Sequence, residues 1–148
     1  MKIVVRNEQR AYRASSRALA SLARWLTERA SLQKDRAWSS ITVTLLDDAA
    51  MTAKNREVFE KDHTTDVITM TYAPIPGDPR WQGEVFVNAD CAVREGKRRK
   101  GTAPELALYI AHGIDHLTGA DDTKRSDRDR MRRREMKWLR EAKAEGKI

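Results

Sequence analysis

The chain has 148 residues, enough for one domain with a genuine core. Its 40% hydrophobic and 34% charged residues describe a folded, well-solvated protein rather than a disordered or membrane-embedded one. A net charge of +7 points to a polyanionic partner or to a solubilising surface, and a single cysteine, Cys91, excludes an internal disulfide framework and fits a reducing cytoplasm.

Lys2 to Arg6, KIVVR, predicts a short β-branched strand; its apolar run is too short for a signal peptide, and no later stretch approaches a membrane span. From about Gln9 to Ser31, Leu19, Leu22, Ala23, Leu26 and Ala30 recur at the spacing of an amphipathic helix. Ser39 to Asp47 alternates Ile41, Val43 and Leu45 with Thr42 and Thr44, the pattern of a half-buried strand. Asp47 or Asp48 then caps a helix through Ala50, Met51 and Val58. Asp66 to Tyr72 is the next strand, preceded by His63, which we expect to be exposed. Ala73 to Arg80, with three of the four prolines, is an irregular connection. Gly83 to Asn88 is a fourth strand and Ala89 to Arg99 a short helix carrying Cys91 as buried filler. Thr102 is the expected cap of a central helix with Pro104 in its first turn. A last helix runs from about Ser126 to Ala144 with Met131, Trp138 and Leu139 inward. Strands and helices without regular alternation predict an α+β fold: a single domain with a small, roughly four-stranded mixed sheet packed by about five helices.

The central helix ends in AHGIDHLTGADD, Ala111 to Asp122, which holds two of the three histidines. His112 and His116 are four apart, so their rings share one helix face with Cβ atoms roughly 5–6 Å apart, and the pair can bind one transition metal. Gly119 ends the helix in a left-handed cap and turns the chain so that Asp122 can reach the same ion. Gly113 weakens a helix interior by about 1 kcal/mol, which close backbone packing would explain. It also occupies the place where a zinc peptidase of the HExxH type carries its general base, which excludes that chemistry. Basic residues cluster on both sides of this stretch: Arg98, Arg99 and Lys100 before it, and Arg132, Arg133 and Arg134 after it. Such clustering favours contact with nucleic acid phosphates over a merely soluble surface.

HGIDHLTGADD resembles the H-G-x-L-H-L-x-G-x-D-H signature of the YbeY family, metal-dependent endoribonucleases of ribosomal RNA maturation. TTDVITM, from Thr64 to Met70, is similar to that family's P-T-D-V-L-S-F strand, and GEVFV, from Gly83 to Val87, to its G-D-I-x-I strand. Asn55 falls where the asparagine of an upstream L-N pair lies. Met131, Glu135, Trp138 and Leu139 follow the family's M-x(3)-E-x(2)-I-L spacing. The resemblance covers about residues 40 to 140. It implies one Zn2+ per chain held by His112, His116 and Asp122, single-stranded RNA as substrate, in ribosomal RNA or a ribosomal subunit, and phosphodiester hydrolysis by an activated water in the cytoplasm. Three protein ligands leave a fourth position open, as in catalytic zinc sites.

Three positions depart from the family. Asp122 replaces a histidine ligand, which lowers the formal charge of the loaded site by one. Asp115 replaces a leucine; it hydrogen-bonds a ligand histidine, acts as a base, or is solvated, the last being favoured. Phe59 stands where the family carries an arginine, and Arg56, one helical turn earlier, is the candidate substitute. Arg56 and Asp115 are thus the candidate catalytic groups. Thr65, Asp66 and Glu84 are expected to be site-adjacent or structural. The rival reading is an RNA- or ribosome-associated binding protein with a structural metal and little nuclease activity; a metal hydrolase of small or peptide substrates is disfavoured by Gly113 and the basic last helix.

Overall fold

The alternating strand sequences place four strands in one sheet and decide which side of it is buried. The computed structural model describes residues 1–32 and 36–148. In chain order the elements are β1 (Lys2–Glu8), α1 (Ser16–Ser31), β2 (Trp38–Leu46), α2 (Asp48–Phe59), β3 (Val67–Tyr72), β4 (Trp81–Asn88), α3 (Ala89–Arg98), α4 (Thr102–Leu117) and α5 (Arg125–Ala144). The strand order is β1-β2-β4-β3, with β1, β2 and β4 parallel and β3 antiparallel to β4 at one edge. This is the expected α+β arrangement. The parallel pairing of β1 with β2 needs a crossover, and α1 supplies it.

Ile41, Val43 and Leu45 of β2 and Val85 and Val87 of β4 point to the large core, where Leu22 and Leu26 of α1, Leu106, Ile110, Ile114 and Leu117 of α4, and Trp138 of α5 meet them. The opposite face is apolar only at one end, where Leu46, Ile68 and Phe86 receive Met51 of α2. Four buried leucine and isoleucine side chains on α4 contribute on the order of 6–12 kcal/mol before chain entropy is subtracted. That makes α4 the best-anchored helix, and it carries both histidines. Among the described residues no helix is long and apolar enough to cross a membrane.

Two glycines bring α4 onto the sheet. A Cβ on Gly113 would lie 2.5 Å from Val85 Cγ1, and one on Gly83 would lie 2.8 Å from Leu117 Cδ1. Gly113 therefore serves the close backbone packing expected of it. The other end of α4 differs from expectation. Gly101, not Thr102, is the N-cap, with φ +113°, and Thr102 is the first helical residue without a capping hydrogen bond. The reason is the tight α3–α4 corner: Gly101 N–H donates to Gly96 O at 2.9 Å, and a Cβ on Gly96 would be 2.6 Å from the Gly101 carbonyl carbon. Likewise α1 starts at Ser16, capped by the Ser15 side chain, rather than near Gln9. Gln9 instead ties a turn, donating to Tyr12 O at 2.7 Å and accepting from Tyr12 N at 2.9 Å. Asp47 caps α2 as expected, its carboxylate accepting from Ala50 N at 2.8 Å.

Candidate metal centre

The C-terminus of α4 closes as a Schellman motif. Ala120 N–H donates to Asp115 O at 3.2 Å and Gly119 N–H to His116 O at 2.9 Å, with Gly119 at φ +99°. Arg36 holds the same end from outside, donating to Leu117 O at 2.6 Å while its guanidinium lies 4.0 Å from the Trp81 ring centre. The reversal brings Asp122 back to the histidines. One ligand atom from each of His112, His116 and Asp122 lies within 4.8 Å of the others.

The hydrogen bonds of the two rings fix their tautomers. His112 Nδ1 meets both oxygens of Glu135, at 3.0 and 3.1 Å, and His116 Nδ1 meets the carbonyl oxygen of Ala120 at 3.1 Å. A carboxylate and a carbonyl only accept, so in both neutral rings Nδ1 carries the proton and Nε2 is left with a lone pair. The two Nε2 atoms are 3.2 Å apart, and Asp122 Oδ2 is 3.3 Å from His116 Nε2. Three acceptors converging at such distances repel unless a cation lies among them. Donors bound tetrahedrally at about 2.0–2.2 Å from a zinc ion are themselves about 3.3–3.5 Å apart, close to the two distances that His116 Nε2 makes, while the three ligand atoms all lie within 4.8 Å of one another. The donor set therefore fits a small divalent ion, and the Glu135 and Ala120 contacts aim the rings at it. The hydrogen bond that His112 donates to Glu135 raises the pKa of His112 above its ordinary value against the opposing effect of burial, with the charges of Glu135, Asp66 and Asp122 adding to the rise.

Asp115 is not solvated. It is only 2% exposed, and Arg134 Nε and Nη2 donate to its two oxygens at 3.0 and 2.9 Å. Burial and the neighbouring Glu135 push its carboxyl up to about 7, Arg134 opposing. With both oxygens committed, Asp115 faces α5 as an anchoring group rather than the ligand cluster as a base. The same contacts correct the placement of Arg134 among RNA-binding residues, since its guanidinium is turned inward. Arg56 is exposed and engaged by Asp62, so it stands in a surface ion pair rather than as a free cation; Phe59 is 51% exposed.

The basic blocks also separate in space. Lys100 precedes α4 and His112 lies twelve residues on, about 15–18 Å along the helix axis. Arg98, Arg99 and Lys100 therefore lie at the far end of α4, and Arg98 pairs with Glu95 and Arg99 with Glu105. On α5, Glu135 marks the direction of His112. At about 100° per residue Arg128 and Arg132 lie within about 60° of it, whereas Arg133 points about 160° away. Arg128 donates to Asp122 O at 3.3 Å and Thr123 O at 3.4 Å, steadying the ligand loop. His63 is exposed, as expected; Cys91 is half-buried, 3.4 Å from the Tyr109 hydroxyl.

Two supports were not expected from the sequence. One is the grip of Glu135 on His112, although Glu135 lies in phase with Met131, Trp138 and Ala142 on the buried stripe of α5. The other is Asn88, fully buried, whose amide donates to Asp48 Oδ1 at 2.8 Å, Thr64 Oγ1 at 2.9 Å and Thr65 O at 3.2 Å. It fixes the approach of the chain to Asp66, whose charge is felt at His112.

A two-histidine, one-carboxylate cluster with ring-orienting partners, set where a helix end meets a mixed sheet, defines an α+β protein with a cluster that could hold a metal ion. The profile of the family described as Endoribonuclease YbeY matches residues 4–143. The chain is 34% identical over 139 residues to an Endoribonuclease YbeY of Anaeromyxobacter dehalogenans (strain 2CP-C), covering 92% of this chain and 67% of that protein. It is 31% identical over 147 residues to the Moorella thermoacetica (strain ATCC 39073 / JCM 9320) protein of the same name, covering 91% and 94%. Against the relative from Anaeromyxobacter sp. (strain Fw109-5), also named Endoribonuclease YbeY, identity is 36% over 114 residues, 76% of this chain but only 58% of the relative. The solution structure of TM1509 from Thermotoga maritima shares the fold, with a TM-score of 0.64 at 21% identity over 97% of this chain and 90% of that one. The chain belongs to the YbeY family.

Proposed function

We propose that the protein is a zinc-dependent endoribonuclease that cuts single-stranded RNA in the maturation and quality control of ribosomal RNA, in the cytoplasm. The observation that carries this reading is the convergence of three lone-pair donors, from His112, His116 and Asp122, within 4.8 Å of one another. Side-chain exposures of 35%, 25% and 46% leave that cluster open to solvent on one side. Two imidazoles and one carboxylate form a borderline-soft set that suits zinc, and three protein ligands are the pattern of catalytic sites. A bound zinc ion supplies Lewis acidity, making a water more acidic and stabilising charge on a phosphate.

The protein's own residues hold and orient. His112 and His116 hold the ion with their rings locked by Glu135 and Ala120, and Asp122 closes the set. Arg132, exposed and one turn beyond Arg128, lies on the flank of α5 nearest His112 and supplies a cation for the RNA backbone. Contacts to phosphate carry no base information, so the reading predicts strand cleavage governed by single-strandedness more than by sequence.

The binding-protein reading draws on one observation, that Phe59 and the Asp62-paired Arg56 leave no free arginine at that part of α2. A cleavage assay on a single-stranded ribosomal RNA fragment and its duplex separates the two. We expect cutting of the single strand by zinc-loaded protein, loss on chelation, recovery on zinc return, and none by His112→Ala. Binding without cutting by loaded protein would favour the rival. Cutting that survives both chelation and His112→Ala would place the chemistry elsewhere.

A further inference from the structure

Both ring-orienting contacts of the proposed metal centre lead back to one residue, Asp115. Its backbone oxygen accepts from Ala120 N–H at 3.2 Å and from the Thr118 hydroxyl at 2.9 Å. Ala120 in turn offers its own carbonyl to His116 Nδ1 at 3.1 Å. The side chain of Asp115 works in the other direction, toward α5, where Arg134 holds it by two parallel hydrogen bonds at 3.0 and 2.9 Å. The neighbour of Arg134 on α5 is Glu135, and Glu135 is the partner of His112.

The arrangement has a definite geometry. His112 and Asp115 are three apart on α4 and share a face; Arg134 and Glu135 are consecutive on α5 and diverge by about 100°. Two adjacent side chains of one helix therefore each take one of two adjacent side chains of the other. A single contact would let α5 rotate or slide; two such contacts fix both its rotation and its height. The planar guanidinium makes the second contact directional, because a bidentate fork is satisfied in only one orientation. Arg134 is itself held from behind by Trp138, one turn on, whose ring centre lies 5.8 Å from its Cζ and which is 3% exposed.

We propose that the Asp115–Arg134 pair is a positioning element of the metal centre, locking α5 against α4 in the register that presents Glu135 to His112 Nδ1 and so aims His112 Nε2 at the ion. This rests on the metal-binding reading above. A buried ion pair of this kind need not add to stability. Buried ion pairs replaced by apolar side chains of similar volume are often as stable or more so, because the desolvation of two charges is avoided. Its contribution is to orientation, and partners that orient a ligand histidine typically change metal affinity by about 10–100-fold.

The test measures zinc affinity by competition with a chromophoric chelator, alongside imidazole 15N spectra that report the His112 Nδ1 proton. The variants are Asp115→Leu/Arg134→Leu, Arg134→Lys, Glu135→Leu, and the triple combination of the first and third. The leucine pair should stay cooperatively folded, bind zinc about 10–100-fold more weakly and lose the hydrogen-bonded signature of His112 Nδ1–H. Glu135→Leu should cost a similar factor in the wild-type chain and little further in the leucine pair, since both act through the same contact. Arg134→Lys, which keeps the charge but reaches only one Asp115 oxygen, should fall between wild type and the leucine pair, and it carries the test if the leucine pair does not fold. Wild-type affinity in the leucine pair or, failing its folding, in Arg134→Lys, or multiplying losses in the triple variant, would overturn the proposal. Failure of the wild-type chain itself to bind zinc would overturn the metal reading instead.

Discussion

Replacing Gly113 by alanine should loosen the protein even though it improves the helix. In an exposed helix interior the change is worth about 1 kcal/mol in favour of alanine. Here the new Cβ would lie 2.5 Å from Val85 Cγ1 and 3.3 Å from Val67 Cγ1. Carbon atoms rest at about 3.5–4.0 Å, so α4 and β4 must part by about 1 Å at this point. Val85 cannot turn aside, being β-branched and fully buried. Overpacking of this kind costs about 1–3 kcal/mol. After the helix gain the net loss should be about 0–2 kcal/mol, a fall in Tm of up to about 8 °C at this chain length. Val85→Ala in the same chain removes the colliding methyls, so the two changes should couple favourably by about 0.5–3 kcal/mol in a double-mutant cycle. Urea unfolding followed by circular dichroism, with chelator present so that metal binding does not contribute, measures all four corners. A Gly113→Ala protein more stable than wild type, or a cycle additive within about 0.3 kcal/mol, would refute the close approach of α4 to β4.

Salt dependence should locate the RNA path. Arg128→Gln/Arg132→Gln should flatten the log–log slope of single-stranded RNA binding by about 0.7 for each phosphate no longer neutralised, while Arg133→Gln leaves it unchanged. Equal effects from both would move the path off the metal-side flank of α5. Acid stability offers a separate check. The hydrogen bond from Arg94, with Asn88 and the Arg94 charge adding to it, holds the Asp48 carboxyl below its ordinary value of 3.8 against burial. A lowered folded-state pKa gives stability that is present above the unfolded value and lost as pH falls through the folded one. Arg94→Gln should therefore be less stable than wild type near about pH 6, with the difference shrinking toward about pH 2. A pH-independent difference between the two proteins would mean that the pair acts through packing alone.

The strand alternation in β2, the histidine spacing and Gly119 announce their roles locally, because side-chain periodicity and φ preference are properties of a few neighbouring residues. Long-range choices are not so encoded. Nothing in Ala103 to Leu106 says that Gly96 needs the backbone of Gly101 against it, so Thr102 looks like the better cap until α3 and α4 meet. Asp115, isolated in the sequence, looks like a solvated acid; only the phase of α5 brings Arg134 over it. That phase is legible in part. Met131, Glu135, Trp138 and Ala142 define an inward stripe, and Arg134 flanks it while Arg133 does not. The three arginines do not form one patch, because a helix sends consecutive residues in different directions. The distance of Arg98 to Lys100 from the histidines is equally hidden, since closeness in sequence becomes length along the axis once the intervening residues form a helix.

The central claim, an ion held by His112, His116 and Asp122, is tested most directly by zinc titration of Asp122→Ala beside Asp121→Ala. The two carboxylates are adjacent in sequence but differently occupied. Asp122 Oδ2 is 3.3 Å from His116 Nε2, whereas Asp121 Oδ1 accepts from Thr123 N at 3.0 Å and from the Thr123 hydroxyl. Wild type and Asp121→Ala should each bind about one zinc per chain, and Asp122→Ala should bind it orders of magnitude more weakly. Loss of zinc in Asp121→Ala with retention in Asp122→Ala would contradict the account.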